Sequence, residues 1–139
     1  MEMARLVSTW SKDPSSRVGA VAVEDNGRVL ATGWNGFPRG VEDTEERLSD
    51  RATKLLYTVH AEMNCVYNAG YVGSSLRGST LFVYGLPVCS ECAKGVIQSG
   101  VRLVVMCHDN LRPEWAMSHA RSLEMFAEAG VEIMRIDLS

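Results

Sequence analysis

Thr80-Leu-Phe-Val-Tyr-Gly-Leu-Pro-Val-Cys-Ser-Glu-Cys-Ala-Lys-Gly-Val-Ile-Gln-Ser-Gly-Val-Arg-Leu-Val-Val-Met106 decides the fold of this chain. Thr80 to Tyr84 is a short apolar run of strand length, and Val101 to Met106 is another. Runs that are apolar at every position suit strands buried on both faces of a sheet. Between them, Cys89 to Ser99 has helical spacing and is closed by Gly100, the residue type that most easily adopts a left-handed helix cap. Strand, helix and strand in that order imply two parallel strands joined by a right-handed crossover.

Working outward, Val18 to Glu24 and Val29 to Trp34 are strand candidates around Asp25-Asn26-Gly27, a strong hairpin turn signal. Asn35-Gly-Phe-Pro-Arg-Gly40 reads as a loop, since two glycines and a proline oppose regular structure. Residues 41–57 read as a charged surface loop with room for one short helix. Thr58 to Ala69 reads as a buried helix that starts near His60 and stops at Gly70. At the start of the chain, Met3, Leu6, Val7 and Trp10 share one helical face, and Asp13-Pro14-Ser15-Ser16 ends that helix. After Met106, Pro113 and Glu114 suit a first helical turn. Ala116, Ala120, Leu123, Phe126 and Ala127 form the expected core face of this last helix; Gly130 ends it, and Val131 to Ile136 is a final strand. The sum is an α/β fold: a three-layer αβα sandwich with a mixed five-stranded sheet. One domain over residues 1–139 is expected, with no repeat, linker or low-complexity segment.

Composition narrows the function. The chain has 139 residues, 46% of them hydrophobic, and a formal net charge of -3. No block of Lys and Arg is present, which argues against a nucleic acid polymer as partner. A small-molecule nucleotide or nucleobase stays compatible, because one phosphate needs only one or two cations or backbone amides. Behind Met1-Glu-Met-Ala-Arg5 there is no apolar signal core, and no apolar run approaches the roughly 20 residues of a membrane span. A cytoplasmic protein without membrane association is the expectation. Thiols stay reduced there, so a close cysteine pair points to metal binding or catalysis.

Cys89-Ser-Glu-Cys92 opens its helix directly after a strand. Cysteines at i and i+3 share a face, and the electropositive helix start favours thiolates, the form that binds zinc. The same arrangement is compatible with a redox pair or two small core residues. His60-Ala61-Glu62 begins the preceding helix. Two helix starts at one edge of a parallel β-α-β unit can converge, so His60, Cys89 and Cys92 form a candidate three-ligand site. Three protein ligands leave a fourth tetrahedral position open, which is the catalytic form of a zinc centre. Glu62 then stands near the metal, able to carry protons without ligating.

His-x-Glu followed by Pro-x-Cys-x-x-Cys is the zinc deaminase signature. The chain resembles deoxycytidylate (dCMP) deaminases of the cytidine deaminase superfamily. The resemblance runs through Val18-Gly-Ala-Val21, Gly33-Trp-Asn-Gly-Phe-Pro-Arg-Gly40, His60-Ala-Glu62, Cys89-Ser-Glu-Cys-Ala-Lys94 and Ala129-Gly-Val-Glu-Ile133. It implies Zn2+ on His60, Cys89 and Cys92, with Glu62 as the catalytic proton shuttle. It implies that the Ala61 amide holds the base, Asn35 meets the sugar, and Ser15, Arg17 and Arg39 lie near the 5′-phosphate. It also implies a homo-oligomer. The implied reaction is hydrolytic deamination of a cytosine nucleotide, dCMP to dUMP. The alternative is a sister enzyme acting on a nucleoside, nucleobase or related heterocycle.

Three departures from the family pattern stand out. Val88 separates Pro87 from Cys89, which implies a metal loop one residue longer. Residues 41–59 carry no Cys or His for the second, structural zinc of some relatives. His108-Asp-Asn-Leu-Arg-Pro-Glu-Trp115 follows the family only loosely. Cys65, Cys107, His108 and His119 read as structural, and Trp34 and Trp115 as packing residues able to stack on a base.

Overall fold

The computed structural model describes residues 1–109 and 111–138. The elements are α1 (Glu2–Ser8), β1 (Gly19–Val23), β2 (Val29–Trp34), α2 (Glu45–Ser49), α3 (Arg51–Tyr57), α4 (Ala61–Tyr71), β3 (Thr80–Gly85), α5 (Ser90–Gln98), β4 (Leu103–His108), a 3-10 turn (Pro113–Trp115), α6 (Ala116–Ala129) and β5 (Glu132–Arg135). The strands form one mixed sheet in the order β2-β1-β3-β4-β5. β1 is antiparallel to both neighbours, while β3, β4 and β5 run parallel. The hairpin turn forms as its residues dictate: Gly27 takes φ 88, and the Asn26 side chain accepts from the Arg28 amide at 3.0 Å.

Side chains alternate between the two sheet faces. Ala20, Ala22, Leu81, Val83, Val104 and Met106 face the larger core, with Ala61 and Cys65 of α4, Val96 of α5 and Phe126 of α6. On the other face, Val21 packs against Ala4 and Val7 of α1, flanked by Phe82 and Tyr84. The expected layers are therefore present, but they are unequal.

Local expectations fail in four places. In α1 the buried residues are Ala4, Val7 and Ser8, whereas Met3, Leu6 and Trp10 are 42%, 57% and 49% exposed. The cause is backbone proximity: a Cβ on Gly19 would lie 2.1 Å from the Ala4 carbonyl oxygen and 2.5 Å from the Ser8 amide. Only small residues fit that seam.

In α6 the buried positions are Ser122 and Phe126, while Ala116, Ala120, Leu123 and Ala127 are exposed. Ser122 Oγ donates to the Val88 carbonyl at 2.8 Å, and Ser118 Oγ accepts from the Ser90 amide at 2.9 Å. Satisfied hydroxyls tolerate burial, so the inner face is partly polar and periodicity of apolar residues misplaces it.

Residues 41–57 hold two helices. Thr44 caps α2 by accepting from the Arg47 amide, and Asp50 opens α3. Finally, α4 passes through Gly70 to Tyr71, and the chain turns at Gly73 with φ 73. Among the described residues, no helix is long and apolar enough to cross a membrane.

Candidate active site

His60 and Cys89 occupy equivalent places. Each is the N-cap residue of its helix, with extended backbone (φ -66, ψ 154 and φ -80, ψ 167). The start of α4 is fixed from the β2 side. Gly36 and Val59 exchange backbone hydrogen bonds at 3.1 and 2.8 Å, and Asn64 Nδ2 donates to the Trp34 carbonyl at 2.7 Å. β2 can approach this closely because residue 33 is glycine: a Cβ there would sit 2.3 Å from the Cys65 amide and 2.4 Å from the Ala61 carbonyl oxygen. The start of α5 is held by the Cys92 amide on Cys89 Sγ at 3.5 Å and by the Ser118 hydroxyl on the Ser90 amide.

These constraints bring three donor atoms together. His60 Nδ1 lies 3.3 Å from Cys92 Sγ and 3.4 Å from Cys89 Sγ, and the three ligand atoms all lie within 4.8 Å of one another. Tetrahedral zinc with Zn–N near 2.0–2.1 Å and Zn–S near 2.3 Å requires N–S separations of about 3.5 Å, so the donor set fits that ion. Val88 does not open the metal loop. It is fully buried, and its carbonyl is taken up by Ser122. Hydrogen bonds from the Cys92 thiol, and then from His60, hold the Cys89 thiol down at about 4. The same sharing with Cys89, followed by burial, pushes Cys92 up. A bound dication would displace the proton that the two sulfurs share. The bond to Cys89 raises His60.

Glu62 is 4% exposed, and burial pushes its carboxyl above the ordinary value, against the opposing influence of His60. With Ala61 and Val88, also buried, it lines a cavity of about 270 Å³ that reaches His60 and Cys89. Asn35 also lines this cavity, with Asp13, Lys54, Trp115 and His119 among its other walls. The Asn35 amide is clamped between two backbone groups: Oδ1 accepts from the Val18 amide at 2.9 Å, and Nδ2 donates to the Ser16 carbonyl at 2.8 Å. Ser15 and Arg17 line an adjoining cavity of about 490 Å³, together with Arg5, His108 and Arg112. The two cavities share Ser16, Leu86, Pro87 and Trp115.

Arg39 departs from expectation. It lies along α4, over the Tyr71 ring at 4.3 Å and bonded to Asn68, and it lines neither cavity. Trp34 stands outside as well, edge-on to Trp10 with centroids 5.4 Å apart. By contrast His119, read from sequence as structural, lines the catalytic cavity; its Nδ1 is buried without a hydrogen-bond partner among the described residues, and its ring meets that of His108 edge-on at 5.8 Å. Burial lowers its pKa, and His108 adds to the effect. Lys54 was not legible at all, because a lysine in a charged segment reads as surface. His108 and Trp115 bracket the segment that follows the family loosely, and Asn110 within it lies outside the described residues.

Comparison with known proteins agrees with this geometry. Residues 1–108 match the family model described as the cytidine and deoxycytidylate deaminase zinc-binding region. A deaminase from the luxG 3′ region of Aliivibrio fischeri is 37% identical over 139 residues, covering 99% of this chain and 90% of the relative. Human deoxycytidylate deaminase is 36% identical over 138 residues, covering 94% and 74%. Among solved structures, the dCMP deaminase of cyanophage S-TIM5 in complex with dCMP and dUMP superposes with a TM-score of 0.76 at 26% identity, covering 97% of this chain and 92% of that one. With its three-donor centre and a match over residues 1–108, this chain belongs to the zinc-binding cytidine and deoxycytidylate deaminase family.

Proposed function

We propose that this chain is a single-domain enzyme that hydrolyses dCMP to dUMP and ammonia, with Zn2+ held by His60, Cys89 and Cys92 and protons carried by Glu62. The observation that carries this is the convergence of those three donors and one buried carboxyl on a single cavity.

When bound, zinc supplies Lewis acidity that lowers the pKa of a water. Glu62 has the properties of a proton carrier: it is a buried carboxyl beside the three metal donors, and burial raises its pKa above the ordinary value. It takes one from the attacking water and delivers it to N3 of the cytosine ring. It then takes the remaining proton of that water, from the hydroxyl now on C4, and delivers it to the exocyclic amine. The C4–O bond forms, the C4–N bond breaks, and ammonia leaves. The buried Ala61 backbone faces the base. Asn35 offers the sugar the one N–H and one lone pair that its backbone clamp leaves free. The adjoining cavity suits a 5′-phosphate: Ser15 and Arg17 line it, with Arg5 and Arg112 as further cations against Asp109 and Asp137. Arg39 is left out of this assignment, since its guanidinium is engaged on α4.

A homo-oligomer is part of the proposal, supported by exposed apolar side chains such as Leu56, Tyr71 and Val72, at 78%, 75% and 72% exposure. A reducing, cytoplasmic setting suits four free cysteines. The deciding experiment is ammonia release by zinc-loaded protein over dCMP, CMP, dCTP, deoxycytidine and cytosine. Turnover restricted to dCMP is the expected result. Turnover restricted to an unphosphorylated compound would transfer the chemistry to the sister substrate class.

A further inference from the structure

Lys54 is a buried cation for which deamination chemistry has no direct use. Its side chain is 7% exposed and reaches the catalytic cavity from α3, the second of the two helices between β2 and α4. Its Nζ lies 3.0 Å from Asp13 Oδ1, and the Asp13 side chain is 11% exposed. The same oxygen accepts from the Ser15 amide at 2.8 Å and the Ser16 amide at 2.9 Å. One carboxylate oxygen therefore holds both a distant helix and the turn of the 13–18 loop.

The chain of contacts continues to the substrate side. The Ser16 carbonyl accepts from Asn35 Nδ2, and Asn35 Oδ1 accepts from the Val18 amide. Ser11 Oγ donates to the Asn35 carbonyl at 2.9 Å and accepts from the Asp13 amide at 3.2 Å. The network is closed: Lys54, Asp13, the loop backbone, Asn35, Ser11 and back to Asp13. Asn35 cannot turn while it stands.

We propose that Lys54 is a positioning residue for substrate, acting through Asp13 to fix the loop and the Asn35 amide that together form the sugar side of the cavity. The inference deepens the cytosine-nucleotide assignment and rests on it. Lys54 lies far along the chain from Asp13 and touches neither His60 nor Glu62 in the hydrogen-bond network, so its effect falls on binding and orientation.

Removing one partner of a buried ion pair strands the other charge and destabilises for that reason alone, whereas neutralising both with similar volume is often tolerated. The informative protein is therefore the double variant Asp13→Asn, Lys54→Met. An asparagine at 13 can still accept from the Ser15 and Ser16 amides, so the turn survives and only the tie to α3 is cut. Zinc content, kcat and KM for dCMP would be measured on wild type and double variant, with hydrogen exchange of the 13–18 amides as a second readout. The expected result is one zinc per chain in both, KM raised about tenfold with kcat nearly unchanged, and faster exchange at Ser15, Ser16 and Val18. An unchanged KM, or a fall in kcat with KM constant, overturns the positioning role. Wild type that turns over no cytosine nucleotide overturns the assignment of the reaction and this inference with it; wild-type turnover with an unaffected double variant overturns this inference alone.

Discussion

The two sides of the catalytic cavity are built in different ways. The metal side comes from two helix starts, α4 and α5, each presenting its functional side chains within about one helical turn: His60 and Glu62 on the first, Cys89 and Cys92 on the second. The substrate side comes from Asp13, Asn35, Lys54, Trp115 and His119, no two of them on the same helix or strand except the last pair's shared turn into α6. On the metal side, local helix geometry sets the distances between functional atoms. On the substrate side, a tertiary hydrogen-bond network sets them. The first arrangement suits chemistry that must not vary; the second can be altered residue by residue to accept another ligand.

The sharpest way to test this division is Glu62→Gln. It keeps size and hydrogen bonding but removes the titratable group, so kcat should fall by about 10²–10⁴-fold while zinc content and substrate affinity persist. Metal analysis beside steady-state kinetics checks it; near-wild-type turnover would end the assignment of Glu62 as proton carrier.

The next effect tests whether backbone proximity anchors the metal side. Gly33→Ala places a methyl group against the Ala61 carbonyl and Cys65 amide, neither of which is a flexible side chain. Stability should drop by at least the roughly 1–3 kcal/mol of ordinary overpacking, with zinc affinity falling in parallel. Chemical denaturation and zinc competition would measure both, and a stable, fully metallated variant would show that β2 does not set the position of α4.

A smaller contrast separates the two arginines that the family resemblance set near the phosphate. Arg17→Ala should raise KM for dCMP about tenfold, the scale of one lost charge-assisted contact, and leave deoxycytidine unaffected. Arg39→Ala should leave both unchanged, since Arg39 packs on Tyr71. Equal KM effects from the two variants would erase the distinction between the cavity and the outer face of α4.

The smallest expected effect is on acid stability. Burial alone would raise the Asp13 carboxyl, but hydrogen bonds from the Ser16 and Ser15 amides and from Lys54 outweigh it and hold the group below its usual 3.8. A depressed carboxylate contributes stability above its unfolded value and loses it as pH falls through the folded one. Wild type should therefore lose this contribution only below about pH 3.8. The double variant Asp13→Asn, Lys54→Met should show a flatter stability profile in that range, as followed by urea titration.

Legibility in the sequence follows the same division. The succession of elements along the chain, the hairpin and both metal-bearing helix starts could be read from chain-local signals: Asp25-Asn26-Gly27, the apolar runs at Thr80 and Val101, and the two short motifs. The buried faces of α1 and α6 could not. Gly19 selects Ala4 and Ser8 through a backbone approach, and α6 turns Ser118 and the buried Ser122 inward because their hydroxyls find partners on α5 and Val88. Neither cause leaves a periodic apolar trace. Arg39 failed for a related reason. The family resemblance set it near the 5′-phosphate, yet the loop after β2 turns it toward α4. Lys54 carried no signal, because its burial depends on an aspartate about 40 residues earlier.

Strand order also governs when the metal can arrive. β1 lies between β2 and β3, and its pairing with β3 joins residues about 65 positions apart, Gly19 with Tyr84. The hairpin can form as soon as it leaves the ribosome, but its inner edge stays unpaired until β3 emerges. His60 belongs to the stretch that must be looped out before that pairing, and the two cysteines follow it. Zinc capture by all three ligands is therefore a late event in folding, and the rate of metal uptake by a refolding chain should report closure of the central strand pair.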